Sequence, residues 1–352
     1  MCFVLGSLLG RLETERETRN RFVLMMPTNR GPCRFGTYSL LHRVILEQLG
    51  WSDRIRVFTP YESDYFLGTP AGFPGLFLSA AIAADVLLAA LLEVRPTESR
   101  HGAANAIYSH YMRELASHVL REAGKRPSVA DVTWQVSSGR LFGLTKLMRE
   151  ALEAFARMRE KADLPTVAVV GEIYVRLNSF ANDGIIEKLE KAGIRVRLSP
   201  FCEWLEYTDY LAHSFHRIQG LSERFRSTLQ HRIFAIAAGL FLKRLGTHFH
   251  IPVVDTVAAA GPFLRNDLWG EAVLTLGYSL AEWQHRNIDG IVNMGPLECM
   301  PTKIAEAQFF HIAEQHKALV LTLPMNGDPL DPQALDNFTF EVHARHNARR
   351  RR

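Results

Sequence analysis

The chain has 352 residues, 47% of them hydrophobic and 22% charged, the make-up of a folded protein of one large or two ordinary domains. This excludes a disordered tail protein, a collagenous fibre and a disulfide-stapled miniprotein. Lys and Arg number 41 against 37 Asp and Glu, a net charge of +4. Arg349 to Arg352 account for all of it, so the body is neutral, carries no electrostatic footprint for nucleic acid, and ends in arginines expected to be frayed and solvated.

The N-terminal apolar run from Cys2 to Leu9 lacks the leading basic residues and cleavable site of a signal peptide. Phe22–Met26 predicts a strand, followed by a Gly/Pro-marked loop and a helix from about Thr37 to Leu49. Ile55–Phe58 predicts a second strand. Leu76 to Ala123 is helical in pattern and opens with the longest apolar run, Leu76–Leu92, with Asp85 near its centre. A membrane span needs about 20 apolar residues, and a central Asp costs roughly 3 kcal/mol on insertion. The run is therefore expected to be a buried core helix of a soluble, cytoplasmic protein with no membrane partner.

A further helix is expected over Leu141–Lys161, and Ala162–Pro165 is the clearest boundary. Thr166–Val170 then opens what reads as a parallel sheet. A helix at Asp183–Ala192, a strand at Ile194–Leu198 and helical pattern from Glu203 to Gly246 follow. A helix at Asp267–His285, a strand at Gly290–Asn293, a helix at Thr302–His316 and a strand at Ala318–Leu323 complete the alternation. NGDPLDP (326–332) reads as a turn and N-cap for a helical tail from Pro332. The expected class is α/β, with a strand-poor first half.

Ligands of open α/β sheets bind beyond the carboxyl ends of the strands. Cys33, Cys202 and Cys299 each follow a predicted strand, and Gly-Pro dipeptides at 31–32 and 295–296 precede Cys33 and Cys299. Thiolates converging from two sheets would select zinc or an iron–sulfur cluster. The alternative is that each cysteine packs as a small hydrophobe, as free cysteines commonly do. The chain has no GxxxxGK[ST] loop, no GxGxxG after Val170 and no GxSxG elbow. His248 and His250 alternate in THFHIP and read either as a metal-binding pair or as a partly exposed strand end.

Four stretches carry a resemblance: MPTNRGPCRFGTYSLLHRVILEQLG (26–50), GEIYVRLNSFANDGIIEKLEKAGIRVRLSPFCEWLEY (171–207), NMGPLECMPTKIAEAQ (293–308) and GDPLDPQALDNFTFEVHAR (327–345). Through them the chain resembles the 2-hydroxyacyl-CoA dehydratase and double-cubane-cluster family, and most of all the C-terminal module of the CoA-substrate-specific activases. GPCRFG and GP-x-ECMP are the specific motifs.

The resemblance implies two Rossmann-like lobes facing each other across a cleft, here residues 1–162 and 163–352. The first lobe is expected to be incomplete, since relatives carry a strand and helix before the motif that matches Cys2. The implied cofactor is a [4Fe–4S] or double-cubane cluster held by Cys2, Cys33 and Cys299. At Cys2 the family's flanking Glu and Pro are replaced by Met1 and Val4. Cys202 is either an extra ligand or a packed thiol. Arg34 would hydrogen-bond cluster sulfur or an anionic acyl group, or else be solvated. The implied function is an iron–sulfur component of an ATP-dependent low-potential reductase or dehydratase, charged by an ATP-hydrolysing activator and acting on an acyl-CoA. Alternatives are a non-catalytic electron relay and a degenerate, cluster-free fragment.

Overall fold

The computed structural model describes residues 2–18, 20–28, 34–60, 66, 68–215, 220–265, 267, 268 and 270–351, without the side chains of residues 2, 215 and 221–223. Helix α1 (Cys2–Thr14) leads into β1 (Phe22–Met25), α2 (Phe35–Gln48) and β2 (Ile55–Phe58). Four helices follow: α3 (Phe73–Val94), α4 (Ala103–Gly124), α5 (Val129–Ser137) and α6 (Leu144–Met158). Next come β3 (Thr166–Gly171), α7 (Ile173–Leu177), α8 (Ile185–Lys191), β4 (Arg195–Leu198), α9 (Glu203–Phe215), α10 (Leu221–Leu245) and α11 (Val253–Ala260). The chain then forms α12 (Glu271–Gln284), β5 (Gly290–Pro296), α13 (Met300–His316), β6 (Val320–Met325) and α14 (Pro332–Arg350).

The strands make two parallel sheets, β1–β2 and β4–β3–β5–β6, as the α/β pattern predicts. Strand β3 is buried along its whole length, so its Val-rich run needs no polar face. Ala168 and Val170 pack with Ile291 beneath α11, α12 and α13. Val167 and Val169 pack with Val292 and Met294 beneath α8 and α14. Since β3 pairs β4 on one side and β5 on the other, the topological switch point lies between β3 and β5. In open α/β sheets the ligand crevice lies beyond the carboxyl ends there.

Between the two sheets in chain order comes a helical bundle of α3, α4, α5 and α6, joined by α10 from the far side of the expected 162/163 boundary. Its core runs from Leu76, Val86 and Leu152 to Phe234 and Phe241. Helix α3 is long and apolar enough to cross a membrane by length and composition, but 61% of its most apolar window is buried inside the protein. It serves as the core helix its Asp85 foretold. That carboxylate accepts the backbone N–H groups of Phe201 at 3.1 Å and Cys202 at 2.8 Å, so it holds the start of α9 against the bundle.

Four helices lie outside the expected set, namely α1, α5, α7 and α11. At the other end, Asp331 caps α14 by accepting from Gln333 at 2.9 Å, as the NGDPLDP pattern predicts. The expected frayed arginine end is corrected: α14 continues to Arg350, because Arg349 binds Asp289 at 2.7 Å and Arg350 binds Asp163 at 3.1 Å.

The Asp85 anchor gives a test of how the bundle is tied to the sheet. Asp85→Ala leaves two N–H groups without their acceptor, at about 1–3 kcal/mol for a buried one. A loss of about 2–4 kcal/mol in urea unfolding is expected, with Asp85→Asn, which keeps one carbonyl acceptor, losing about half as much. Equal, negligible losses in both variants would contradict the anchor.

Candidate functional site

At the switch point the backbones of β3 and β5 come unusually close. Gly171 sits at φ +112°, and a Cβ there would collide with the Met294 carbonyl. Only glycine meets both demands. The chain then turns outward: the Glu172 N–H donates to Met294 O at 2.9 Å, and the Glu172 carboxylate accepts from Val175 N at 2.8 Å to cap α7. One turn on, Arg176 is buried and donates to Gly171 O (2.7 Å), Pro200 O (3.1 Å) and Glu203 Oε1 (2.8 Å). Ser199 donates to the same Glu203 oxygen. A single guanidinium thereby joins the ends of β3 and β4, and it keeps the buried Glu203 paired.

Across the crevice β5 ends in the loop that carries Cys299. A Cβ at Gly295 would overlap the Thr302 hydroxyl, so this glycine lets α13 start close to the strand. Cys299 occupies the N-cap of α13 and is half-buried. Burial pushes its thiol up to about 11, and the nearby Glu271 and Glu172 add to the rise while hydrogen bonds from Thr302 oppose it. Glu271 begins α12 and, like Glu172, is half-buried. Burial of the carboxyl itself, away from water, raises it to about 8, helped by the nearby Glu172. The Glu172 carboxyl is raised as well, by burial. Two carboxyls and a thiol therefore share one crevice, each favouring its proton.

The Arg34 guanidinium reaches this edge from the other sheet. It donates to the Glu298 carboxylate at 3.1 Å and to the Glu298 carbonyl at 2.8 Å. The residue after Cys33 is thereby joined to the residue before Cys299. Cys33 itself lies outside the described residues, and Cys2 is placed by its backbone alone, in the first turn of α1. Cys202 is elsewhere: fully buried in the helical core and hydrogen-bonded to Asp85, with a thiol pushed well above the usual range by burial and by that carboxylate. It is a packed thiol.

His248 and His250 lie in the α10–α11 connection, not on a strand. Each ring is held by a buried carboxylate, His248 by Glu282 at 2.7 Å and His250 by Glu206 at 2.6 Å. They line a cavity of about 670 Å³ formed with α11 and the end of α12. Among the described residues no group of three His, Cys, Asp or Glu side chains is placed to hold a metal ion. Comparison with protein families, with curated proteins and with solved structures finds no match.

Sequence reasoning found Cys299 and Arg34 but missed Glu172, Arg176, Glu203 and Glu271. Glu172 and Arg176 carry one local signal, GEIYVR, where charged residues follow directly on a buried strand; Glu203 and Glu271 carry none.

The crevice carboxyls make stability depend on pH in a definite direction. Glu271 titrates at about 8 in the folded chain against 4.5 for a free carboxyl, so between those values only the unfolded chain gives up the proton. Its contribution is therefore full below about pH 4.5 and lost as pH rises to about 8. Thermal midpoints from about pH 5 to 8 should fall less steeply in Glu271→Gln than in the wild type. Parallel profiles would contradict the assignment.

Proposed function

We propose that the chain is the iron–sulfur component of an ATP-dependent low-potential reductase or dehydratase system, with its two α/β lobes facing across a cleft. Cys2, Cys33 and Cys299 would hold the cluster. The observation that carries this reading is the pair of hydrogen bonds from Arg34 to Glu298. They tie together the two Gly-Pro loops in which the resemblance to the 2-hydroxyacyl-CoA dehydratase and double-cubane-cluster family is most specific.

The residues of the crevice fit such a group. Cys299 offers a soft donor at a strand end, where ligands of this fold class bind. When bound, a thiolate-held cluster would supply one-electron storage at low potential. The protein's part is electrostatic and positional. Thr302 hydrogen-bonds the Cys299 sulfur, the kind of contact that tunes cluster potentials. Glu172 and Glu271, when ionised, disfavour the arrival of an electron nearby. Arg34, spent on Glu298, positions the two loops, while buried Arg176 fixes the floor of the crevice.

A chain without a phosphate-binding loop needs an ATP-hydrolysing activator to supply such electrons, and an acyl-CoA is the substrate class the family resemblance brings. Thiolate ligands also suit the reducing cytoplasm. A second reading, an electron relay that binds no substrate, is favoured by one observation. The cavity of about 670 Å³ lies by His248, at the opposite end of α12 from Glu271 and the Cys299 crevice. Acyl-CoA binding by the reconstituted protein separates the two.

Anaerobic reconstitution followed by iron and acid-labile sulfide analysis tests the ligand set. A [4Fe–4S] unit gives about four of each per chain. Cys33→Ser and Cys299→Ser should each lose most of the iron and Cys202→Ser should keep it. Loss in Cys202→Ser alone, or no iron in the wild type, would refute the assignment.

A further inference from the structure

We propose that the cavity between the α10–α11 connection, α11 and the end of α12 binds a small organic amine, an ammonium group carried on an apolar body. Three imidazoles line it, those of His248, His250 and His285, and each is held through one ring nitrogen. His248 Nε2–H donates to Glu282 at 2.7 Å, and His250 Nε2–H donates to Glu206 at 2.6 Å. His285 Nδ1–H donates to the Ala281 carbonyl at 2.7 Å. Carboxylates and carbonyls only accept, so in a neutral ring the bonded nitrogen carries the proton and the other keeps a lone pair. Those other nitrogens, Nδ1 of His248 and His250 and Nε2 of His285, make no hydrogen bond among the described residues.

The acceptors are fixed before any ligand arrives. The Glu206 and Glu282 carboxylates are buried. Glu282 also accepts from Arg197 at 3.0 Å, and Glu206 from Val253 N at 3.3 Å. The His250 ring stacks on Phe234 with centroids 4.6 Å apart. Such preorganisation lowers the cost of binding.

Charge decides the ligand class. Among the described residues that line the cavity the one acid is Asp255, and none is Lys or Arg. Helix α12 ends here at Gln284, so its dipole turns the negative end toward the cavity. The start of α11 would by itself favour an anion. It is already answered by Glu206 on Val253 N and by Asp255 in the first turn. An ammonium group donates three hydrogen bonds and accepts none, which matches imidazole lone pairs and a carboxylate. Ala258, Ala259 and Pro262 supply an apolar wall, and about 670 Å³ is the size of a small-ligand pocket. A metal ion is the other taker of such lone pairs, but no three of the described side chains are placed to hold one. The site lies away from Cys299 and stands independently of the cluster assignment.

The test titrates the full, metal-free chain at about pH 8, where an amine is charged. Benzylamine, benzyl alcohol and benzoate are the probes, one shape with a cationic, a neutral and an anionic head. Ring-nitrogen signals are followed by NMR in protein labelled at histidine, with that of His248 assigned by its loss in His248→Ala. Benzylamine should move the His248 Nδ1 signal saturably, with a midpoint of about 1 mM. Benzyl alcohol should bind about three- to five-fold more weakly, the share an exposed charge pair supplies, and benzoate should leave the signal in place. Asp255→Asn, at an exposed position, should weaken benzylamine by the same factor with an unchanged thermal midpoint. No saturable shift with benzylamine, benzoate binding as tightly as benzylamine, or an Asp255→Asn affinity equal to that of the wild type would overturn the assignment.

Discussion

The close approach of β3 and β5 at Gly171 is the constraint on which the rest depends. Two parallel strands that touch at their carboxyl ends, with no side chain between them, must send their following segments apart. Glu172 goes toward α7, and the Pro296–Cys299 loop goes toward α13. Helix α12 brings Glu271 into the space that opens between them. Arg176 then closes the floor with three hydrogen bonds to groups on neighbouring strand ends. A side chain at position 171 would push this arrangement apart at its narrowest point.

A second consequence is electrostatic. Helix starts attract anions, and this crevice already contains two carboxyls. Both favour their protons, and they raise the Cys299 thiol with them. Such a thiol is unreactive by itself. It becomes a useful ligand only when something more electrophilic than a proton takes its place, as a metal does. Asp85 shows the contrasting use of a buried acid: it is spent on two backbone N–H groups and ties the bundle to the sheet without meeting the crevice.

Much of the fold was legible because its two central strands, β3 and β5, are buried almost throughout. TVAVV and GIVNM have no polar alternation to confuse, and Gly or Pro marks their ends. The helices that escaped notice have local causes: α7 is five residues long and shows no period, and α11 is short and alanine-rich. Helix α1 contains Gly6 and Gly10, poor helix formers that mask its period. Cys299 was legible because position after a strand predicts the carboxyl edge. The same cue failed for Cys202, since it cannot tell which way the loop turns; here Asp85 draws the start of α9 into the helical core. Glu172 and Glu271 stand 99 positions apart in the chain, and only the sheet order brings them together.

The central claim is that the loops after β1 and β5 share one thiolate-held cluster at this edge. Iron K-edge absorption of the anaerobically reconstituted chain tests it most directly. A shell of sulfur neighbours at about 2.3 Å, the length of thiolate–metal bonds, with iron neighbours beyond it, is the expected result, and Cys299→Ser should remove it. Iron bound through nitrogen and oxygen alone, unchanged in Cys299→Ser, would contradict the account.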